Sequence, residues 1–138
     1  AIGAVQSHRE WLGRHERRVR LQHEMKKFFE SYDVLLCPGV PVAAIPHDHG
    51  GDFYGRRIQV NGEERGYADL LTWIALPTLA GLPATVAPIG RTREGLPVGL
   101  QIIGPPLEDR TSIAFARALT AITRGFEPPP PACTAHST

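Results

Sequence analysis

Two similar apolar segments constrain the fold of this chain more than any other feature. Residues 81–90 read GLPATVAPIG and residues 95–104 read GLPVGLQIIG. A proline at the first position of a strand costs little, because its missing N–H lies outside the ladder of hydrogen bonds. The intervening residues 91–95, RTREG, have the polarity and the glycine of a turn. We therefore predict two adjacent strands.

Alternating side chains in the second segment predict a sheet that is covered on both faces. Val98, Leu100 and Ile102 point to one face, and Gly99, Gln101 and Ile103 point to the other. In the first segment both faces are apolar or small. Gly99 has no side chain and leaves room for a close approach. The residues to which this pattern gives a structural role are Gly81, Pro83, Gly95, Pro97, Gly99 and Gln101.

Two helices are predicted before these strands. Residues 8–31 carry apolar side chains at i, i+4, i+7 and i+8, the spacing of one helix face. These side chains are Leu21, Met25, Phe28 and Phe29. Residues 69–80 are apolar nearly all round, which is typical of a buried helix. Pro77 is expected to kink or end that helix, and Gly81 to stop it.

A third helix follows the strands. It is predicted to begin at Asp109, a favourable N-cap residue, and to run to about Arg124. Its apolar stripe consists of Phe115, Ala118, Leu119 and Ile122. Residues 128–138, PPPPACTAHST, predict an extended and disordered tail.

A short apolar run between the first two helices sets the fold class. Residues 33–37, DVLLC, are followed by a proline and predict a strand buried on both faces, of the kind found in parallel sheets. Residues 38–66 predict a long loop or a weak hairpin with its turn at Asn61 and Gly62. A helix followed directly by a buried strand favours a layered α/β architecture.

Composition excludes several classes of partner. The formal net charge of +1 provides no strong field for nucleic acid or an anionic membrane. No apolar run approaches the roughly 20 residues needed to span a bilayer. Cys37 lies in an apolar run and Cys133 in the proline-rich tail, so we expect two free thiols and no disulfide framework. This use of cysteine is typical of a cytoplasmic protein.

Three stretches resemble the C-terminal third of the amidase-signature enzymes. They are residues 28–48 (FFESYDVLLCPGVPVAAIPHD), 78–90 (TLAGLPATVAPIG) and 95–119 (GLPVGLQIIGPPLEDRTSIAFARAL), and the likeness runs in order from about residue 9 to residue 127. The resemblance implies an α/β/α layered fold around a mixed β-sheet. It also implies hydrolysis or transfer of amides through an acyl-enzyme, with a serine nucleophile, a second serine and a lysine. No metal or organic cofactor is implied.

The residues for that chemistry are missing from the stretches that match. The mechanism needs an unprotonated lysine in a buried site, which takes a proton through the second serine. The only lysines are Lys26 and Lys27, neighbours on a polar helix face. The serines are Ser7, Ser31, Ser112 and Ser137, which form no Ser-Ser pair. We therefore predict no catalytic residue in this chain.

The resemblance implies a role in shaping the substrate pocket. By position in the family, the candidates for its wall are His47, Asp69, Trp73 and Thr78. His47 and His49 alternate on an extended segment, so both side chains could lie on one side and bind a metal ion. No third ligand is suitably spaced, and we therefore predict no metal site. A core position for Trp73 and a helix cap or surface position for Asp69 are the structural alternatives.

Three function classes are left open at this stage, one of which is a nucleic-acid-binding helix at residues 8–31. In another, residues 1–127 are the C-terminal segment of an amidase that acts on a small-molecule amide, and they pack against the remainder of that domain. The chain does not begin with methionine. Engineering, processing or a start within a longer protein would each account for that. The alternative is a stand-alone α/β module that binds a ligand or a partner without catalysis. Apolar surface left by absent neighbours predicts self-association.

Overall fold

The computed structural model describes residues 5–123 and 125–128. The predicted tail at 128–138 therefore lies, apart from Pro128, outside the described residues, as does Cys133. In chain order the elements are α1 (His8–Phe28), β1 (Leu35–Pro38), β2 (Arg57–Val60), β3 (Glu63–Gly66), a 3-10 helix (Tyr67–Leu71), α2 (Thr72–Ala80), β4 (Ala84–Arg91), β5 (Pro97–Ile103) and α3 (Asp109–Leu119).

The main sheet has three strands in the order β1-β5-β4. The predicted pair of adjacent strands is confirmed as the antiparallel hairpin β4–β5, in which Ala84 stands opposite Ile103. β1 is also antiparallel to β5, with Leu35 opposite Ile103. The described sheets are thus antiparallel throughout, and the prediction of a mixed sheet with a parallel-type strand at 33–37 is wrong for this part of the fold. Leu36 is 44% exposed, so β1 is not buried on both faces.

Helices lie on both faces of this sheet. Met25 of α1 packs with Ile103 in the core cluster, to which α2 also contributes. Thr85 of β4 stands opposite Ile102, the neighbour of Ile103, and therefore points to the other face. There its hydroxyl lies 2.9 Å from the hydroxyl of Ser112 in α3. The described residues thus form an α/β structure in which α1 and α2 pack on one face of the three-stranded sheet and α3 packs on the other.

α1 begins with a capping box. The hydroxyl of Ser7 accepts a hydrogen bond from the Glu10 backbone N–H at 3.3 Å, and the Glu10 carboxylate accepts one from the Ser7 backbone N–H at 2.8 Å. The bonds from the backbone and side chain of Ser7 lower the pKa of Glu10. The helix ends at Phe28, three residues before the predicted end. Met25 is the buried member of its predicted stripe.

The segment 38–66 contains the predicted hairpin. β2 and β3 pair antiparallel, with Val60 opposite Glu63. The turn residues Asn61 and Gly62 have φ of 53° and 84°. Two successive positive φ angles are typical of the type I′ turn, which asparagine and glycine favour.

α2 and α3 differ from their predicted forms. Residues 67–71 form a 3-10 turn before α2, and Pro77 lies inside α2 rather than at its end. The N-cap of α3 is Glu108 rather than Asp109, and the helix ends at Leu119. Ala118 and Ile122, predicted to be in its buried stripe, are exposed, because the chain leaves the helix before Ile122 and no described element covers that side.

A large part of the apolar surface faces solvent. Exposed apolar side chains of α2 and the segment before it are Leu71, Trp73, Ile74 and Leu79. The residues 69–80 therefore do not form a buried helix, although the surface they expose agrees with the apolar patch predicted for this segment. Within the residues that the structure describes, no helix is long and apolar enough to cross a membrane.

Candidate functional site

α2 and the 3-10 helix before it carry three of the four predicted pocket residues: Asp69, Trp73 and Thr78. The 3-10 helix follows β3 directly, so these residues are joined to the β2–β3 hairpin. Arg65 of β3 completes that connection, since its Nε donates to the Asp69 carboxylate at 2.7 Å. Both side chains are partly exposed, so this pair adds little stability, about 0.2–1 kcal/mol. Its main effect is on geometry, because it ties the hairpin to the start of this segment.

Trp73 and Thr78 present different chemical groups to an approaching molecule. Trp73 is 41% exposed, so it is not a buried aromatic residue of the core, the alternative that the sequence left open. The Thr78 hydroxyl donates to the backbone carbonyl of Ile74 at 2.7 Å, one turn earlier in α2. That bond occupies its only proton, so Thr78 presents an acceptor and a methyl group to an approaching molecule.

His47 lies apart from these residues, in the loop between β1 and β2. Its ring is 5.8 Å from that of His49, and both side chains are exposed. Across the described ranges, no group of three or more His, Cys, Asp or Glu residues is placed to hold a metal ion. The structure therefore brings Asp69, Trp73 and Thr78 onto one segment and places His47 on another.

The predicted motif residues support α2 and the hairpin beside it. Gly81 ends α2 with a φ of 68°, in the left-handed region that glycine adopts without strain. The carbonyl of Pro83 accepts a hydrogen bond from Gly104 N–H at 2.9 Å, which closes the end of the hairpin. Pro97 is the first residue of β5 and Gly95, with a φ of 87°, lies in the turn before it.

Gly99 and Gln101 occupy one face of β5. The close approach at Gly99 is made by Val86, because a Cβ built on Gly99 would lie 2.8 Å from Val86 Cγ1. Gln101 is 3% exposed, and its Nε2 donates to Cys37 Sγ at 3.0 Å and to the Trp73 carbonyl at 3.2 Å. The link from Gln101 to α2 has no signal in the local sequence, since 28 residues separate the two partners.

Among the described residues, the two lysines lie on α1, while Ser7 and Ser112 make hydrogen bonds that hold helices in place. Lys26 and Lys27 are exposed in the last turn of α1 and do not lie in a buried site. Ser7 caps α1. Ser112 is 1% exposed, and its hydroxyl donates to the Asp109 carbonyl at 3.0 Å while contacting Thr85. These bonds fasten α3 to β4.

Comparison with protein families decides the relationship. The Amidase family model matches residues 2–113, which is most of the chain. The chain belongs to the amidase family. Among curated relatives, a glutamyl-tRNA(Gln) amidotransferase subunit from Synechococcus sp. (strain RCC307) is 36% identical over 100 residues, covering 72% of this chain and 18% of that protein. Fatty acid amide hydrolase of Arabidopsis thaliana is 34% identical over 106 residues, covering 74% of this chain and 16% of that protein.

Solved structures of amidases have the same local fold. A crystal structure of an amidase superposes with a TM-score of 0.74 at 25% identity, covering 88% of this chain and 27% of the amidase. A bacterial aryl acylamidase of the amidase signature family superposes with a TM-score of 0.68 at 27% identity, covering 87% of this chain and 24% of that enzyme. This amidase-family chain thus spans less than a third of these two structures, and less than a fifth of the two curated relatives.

Proposed function

We propose that residues 1–127 are the C-terminal segment of an amidase that hydrolyses a carboxylic amide. The Ser-Ser-Lys triad of that enzyme lies in a part N-terminal to this segment. The observation that carries the proposal is the family match over residues 2–113 in a chain whose two lysines, Lys26 and Lys27, are both exposed. Both side chains face solvent, whereas the lysine of an acyl-transfer relay must lie in a buried site beside a serine.

The exposed apolar surface supports a scaffold role. Trp73 and Leu79 of α2 are exposed, and Val86 on the edge strand β4 is 62% exposed. Large apolar side chains left in solvent on neighbouring elements suit a surface against which another part of a protein packs. In the proposed enzyme the remainder of the amidase domain covers it. The isolated chain is then expected to self-associate in analytical ultracentrifugation, and a strictly monomeric chain would count against this assignment.

The pocket role is assigned to the segment that carries Asp69, Trp73 and Thr78. This segment offers an exposed indole, a threonine acceptor and a carboxylate, which suit a small amide with apolar groups and an N–H donor. His47 is assigned to the same wall through the loop after β1, which the remainder of the domain would hold in place. Hydrolysis through an acyl-enzyme needs no cofactor.

A chimera tests this assignment. The chain replaces the matching quarter of the bacterial aryl acylamidase, and hydrolysis of an aryl amide is measured. We expect the chimera to fold and to hydrolyse the amide, because the replaced and introduced segments share one local fold. A chimera that folds with an intact triad but has no activity would contradict the scaffold role.

A point substitution tests the pocket wall in the same chimera. Trp73→Ala removes an exposed indole from α2 and is expected to raise KM more than it lowers kcat, because substrate binding is lost equally in the ground and transition states. Trp11→Ala is the matched control, since Trp11 is an exposed tryptophan of α1, outside both α2 and the loop that carries His47. Equal effects of the two substitutions would remove Trp73 from the wall.

A further inference from the structure

Pro77 leaves one carbonyl of α2 without its helical partner. In an α-helix the N–H of residue i donates to the carbonyl of residue i−4, so the carbonyl of Trp73 would normally accept from residue 77. Proline has no N–H. A carbonyl in this position needs another donor or water, because an unpaired buried acceptor is costly.

Gln101 supplies the missing donor from the neighbouring strand. Its Nε2 lies 3.2 Å from the Trp73 carbonyl and 3.0 Å from Cys37 Sγ. A carboxamide nitrogen carries two protons, so both bonds are satisfied at once. Cys37 stands directly opposite Gln101 in the β1–β5 register, which makes its sulfur a fixed neighbour. One buried side chain thus joins β1, β5 and α2.

The two ends of α2 are held in different ways. The C-terminal end is anchored by packing, since Ala80 and Leu82 belong to the core cluster and the Leu82 N–H donates to the Pro77 carbonyl at 2.9 Å. The N-terminal end exposes Trp73, and a bond from Gln101 joins its backbone to the three-stranded sheet. The position of Trp73 against the sheet therefore depends on this bond.

We propose that Gln101 is a positioning residue that substitutes for the backbone donor lost at Pro77 and so fixes the Trp73 end of α2 against the sheet. This inference rests on the proposed function, because it explains how the pocket wall is held. If it is correct, the effect of replacing Gln101 must depend on which residue stands at position 77. An N–H restored at residue 77 would take over the Trp73 carbonyl and make Gln101 dispensable.

A double-mutant cycle in the 138-residue chain tests this coupling, with Gln101→Leu, Pro77→Ala and the combination of both. Hydrogen exchange of the α2 amides is followed by mass spectrometry. We expect Gln101→Leu to increase the exchange of α2 about tenfold, because a partly buried acceptor loses its donor. In the Pro77→Ala background the same change is expected to increase exchange less than about threefold, since the new N–H satisfies that acceptor.

Two further measurements make the test specific. Thr78→Val removes a hydrogen bond to an α2 carbonyl that is made within the helix, and its effect is expected to be the same whether residue 77 is proline or alanine. Trp73 fluorescence, recorded with Trp11→Phe in every variant, is expected to shift with Gln101→Leu and to return with Pro77→Ala.

Equal effects of Gln101→Leu in both backgrounds would overturn the proposal, as would unchanged exchange of α2. If Gln101→Leu does not fold, the recovery of folded chain on adding Pro77→Ala becomes the readout, and no recovery overturns it. These outcomes are independent of the chimera's activity with wild-type Gln101. A failure of the positioning role and a failure of the amidase assignment are therefore distinguishable.

Discussion

The contact between Gly99 and Val86 gives a prediction whose sign depends on the background. A Cβ at position 99 would lie 2.8 Å from Val86 Cγ1, against 3.4 Å or more in an ordinary contact. Overpacking of this kind costs about 1–3 kcal/mol. Val86 is 62% exposed on an edge strand and can move outward, which puts Gly99→Ala near the lower end, at about 1 kcal/mol of lost unfolding free energy.

Removing the clashing methyl group should reverse the effect. In a Val86→Ala background, Gly99→Ala adds no clash, and its φ is outside the left-handed region. Replacing glycine by alanine then restricts the unfolded chain and stabilises the fold by about 0.4–1 kcal/mol. The predicted coupling between the two positions is therefore about 1.5 kcal/mol.

Urea unfolding followed by circular dichroism measures all four chains of this cycle. Gly90→Ala is the matched control, because Gly90 lies in the same hairpin, has no heavy atom within 4 Å of a built Cβ and has no positive φ. It should not destabilise the chain by overpacking. If Gly99→Ala destabilises the chain equally with valine and with alanine at position 86, steric contact is not the reason for glycine in β5.

Three further predictions concern the caps, turns and buried hydroxyls. Ser112→Ala is expected to lower the free energy of unfolding in urea by about 1–3 kcal/mol, because it leaves the Thr85 hydroxyl without its partner. Adding Thr85→Val should recover part of that loss. A double variant less stable than Ser112→Ala would contradict the pairing. Gly62→Val, at a φ of 84°, is expected to cost the β2–β3 hairpin about 1–2 kcal/mol, seen as faster amide exchange there but not in β5. The bonds from Ser7 lower the pKa of Glu10, so the ionised carboxylate stabilises α1 at pH values above the usual glutamate range. This contribution is lost as the pH falls through the folded-state pKa, and the helical signal should therefore fall with acid more in the wild type than in Glu10→Gln. Identical acid curves would rule out the Ser7–Glu10 capping box as the cause.

Local patterns predicted the elements whose partners are close in sequence. The β4–β5 hairpin followed from alternating side chains with a glycine-containing turn between them, and α1 followed from its apolar spacing. The β2–β3 turn followed from the pair Asn61-Gly62. In each case the residues that determine the structure lie within one or two helical turns, or within a single hairpin. A local sequence pattern therefore includes all of them and is enough to predict the element.

Contacts between distant segments account for what the sequence did not predict. The apolar run at 33–37 carries no information about the direction of its partner strand, and β5 pairs with it in the antiparallel sense. The stripe at Ala118 and Ile122 would be buried only if another element covered it. The bond from Gln101 to Trp73 joins residues 28 apart, and it matters because of a third residue, Pro77. For the candidate site, the sequence placed Asp69, Trp73 and Thr78 together because they share one segment, but it gave no geometry for His47.

The most direct test of the account is amide hydrolysis by the purified 138-residue chain alone. The central claim is that its exposed lysines and separated serines form no acyl-transfer relay. We expect no turnover of aliphatic or aryl amides above the rate in buffer, and no covalent acyl adduct by intact-mass spectrometry. Turnover that is lost in Ser112→Ala, or in Lys26→Met with Lys27→Met, would show that the chain holds its own catalytic residues and would contradict the account.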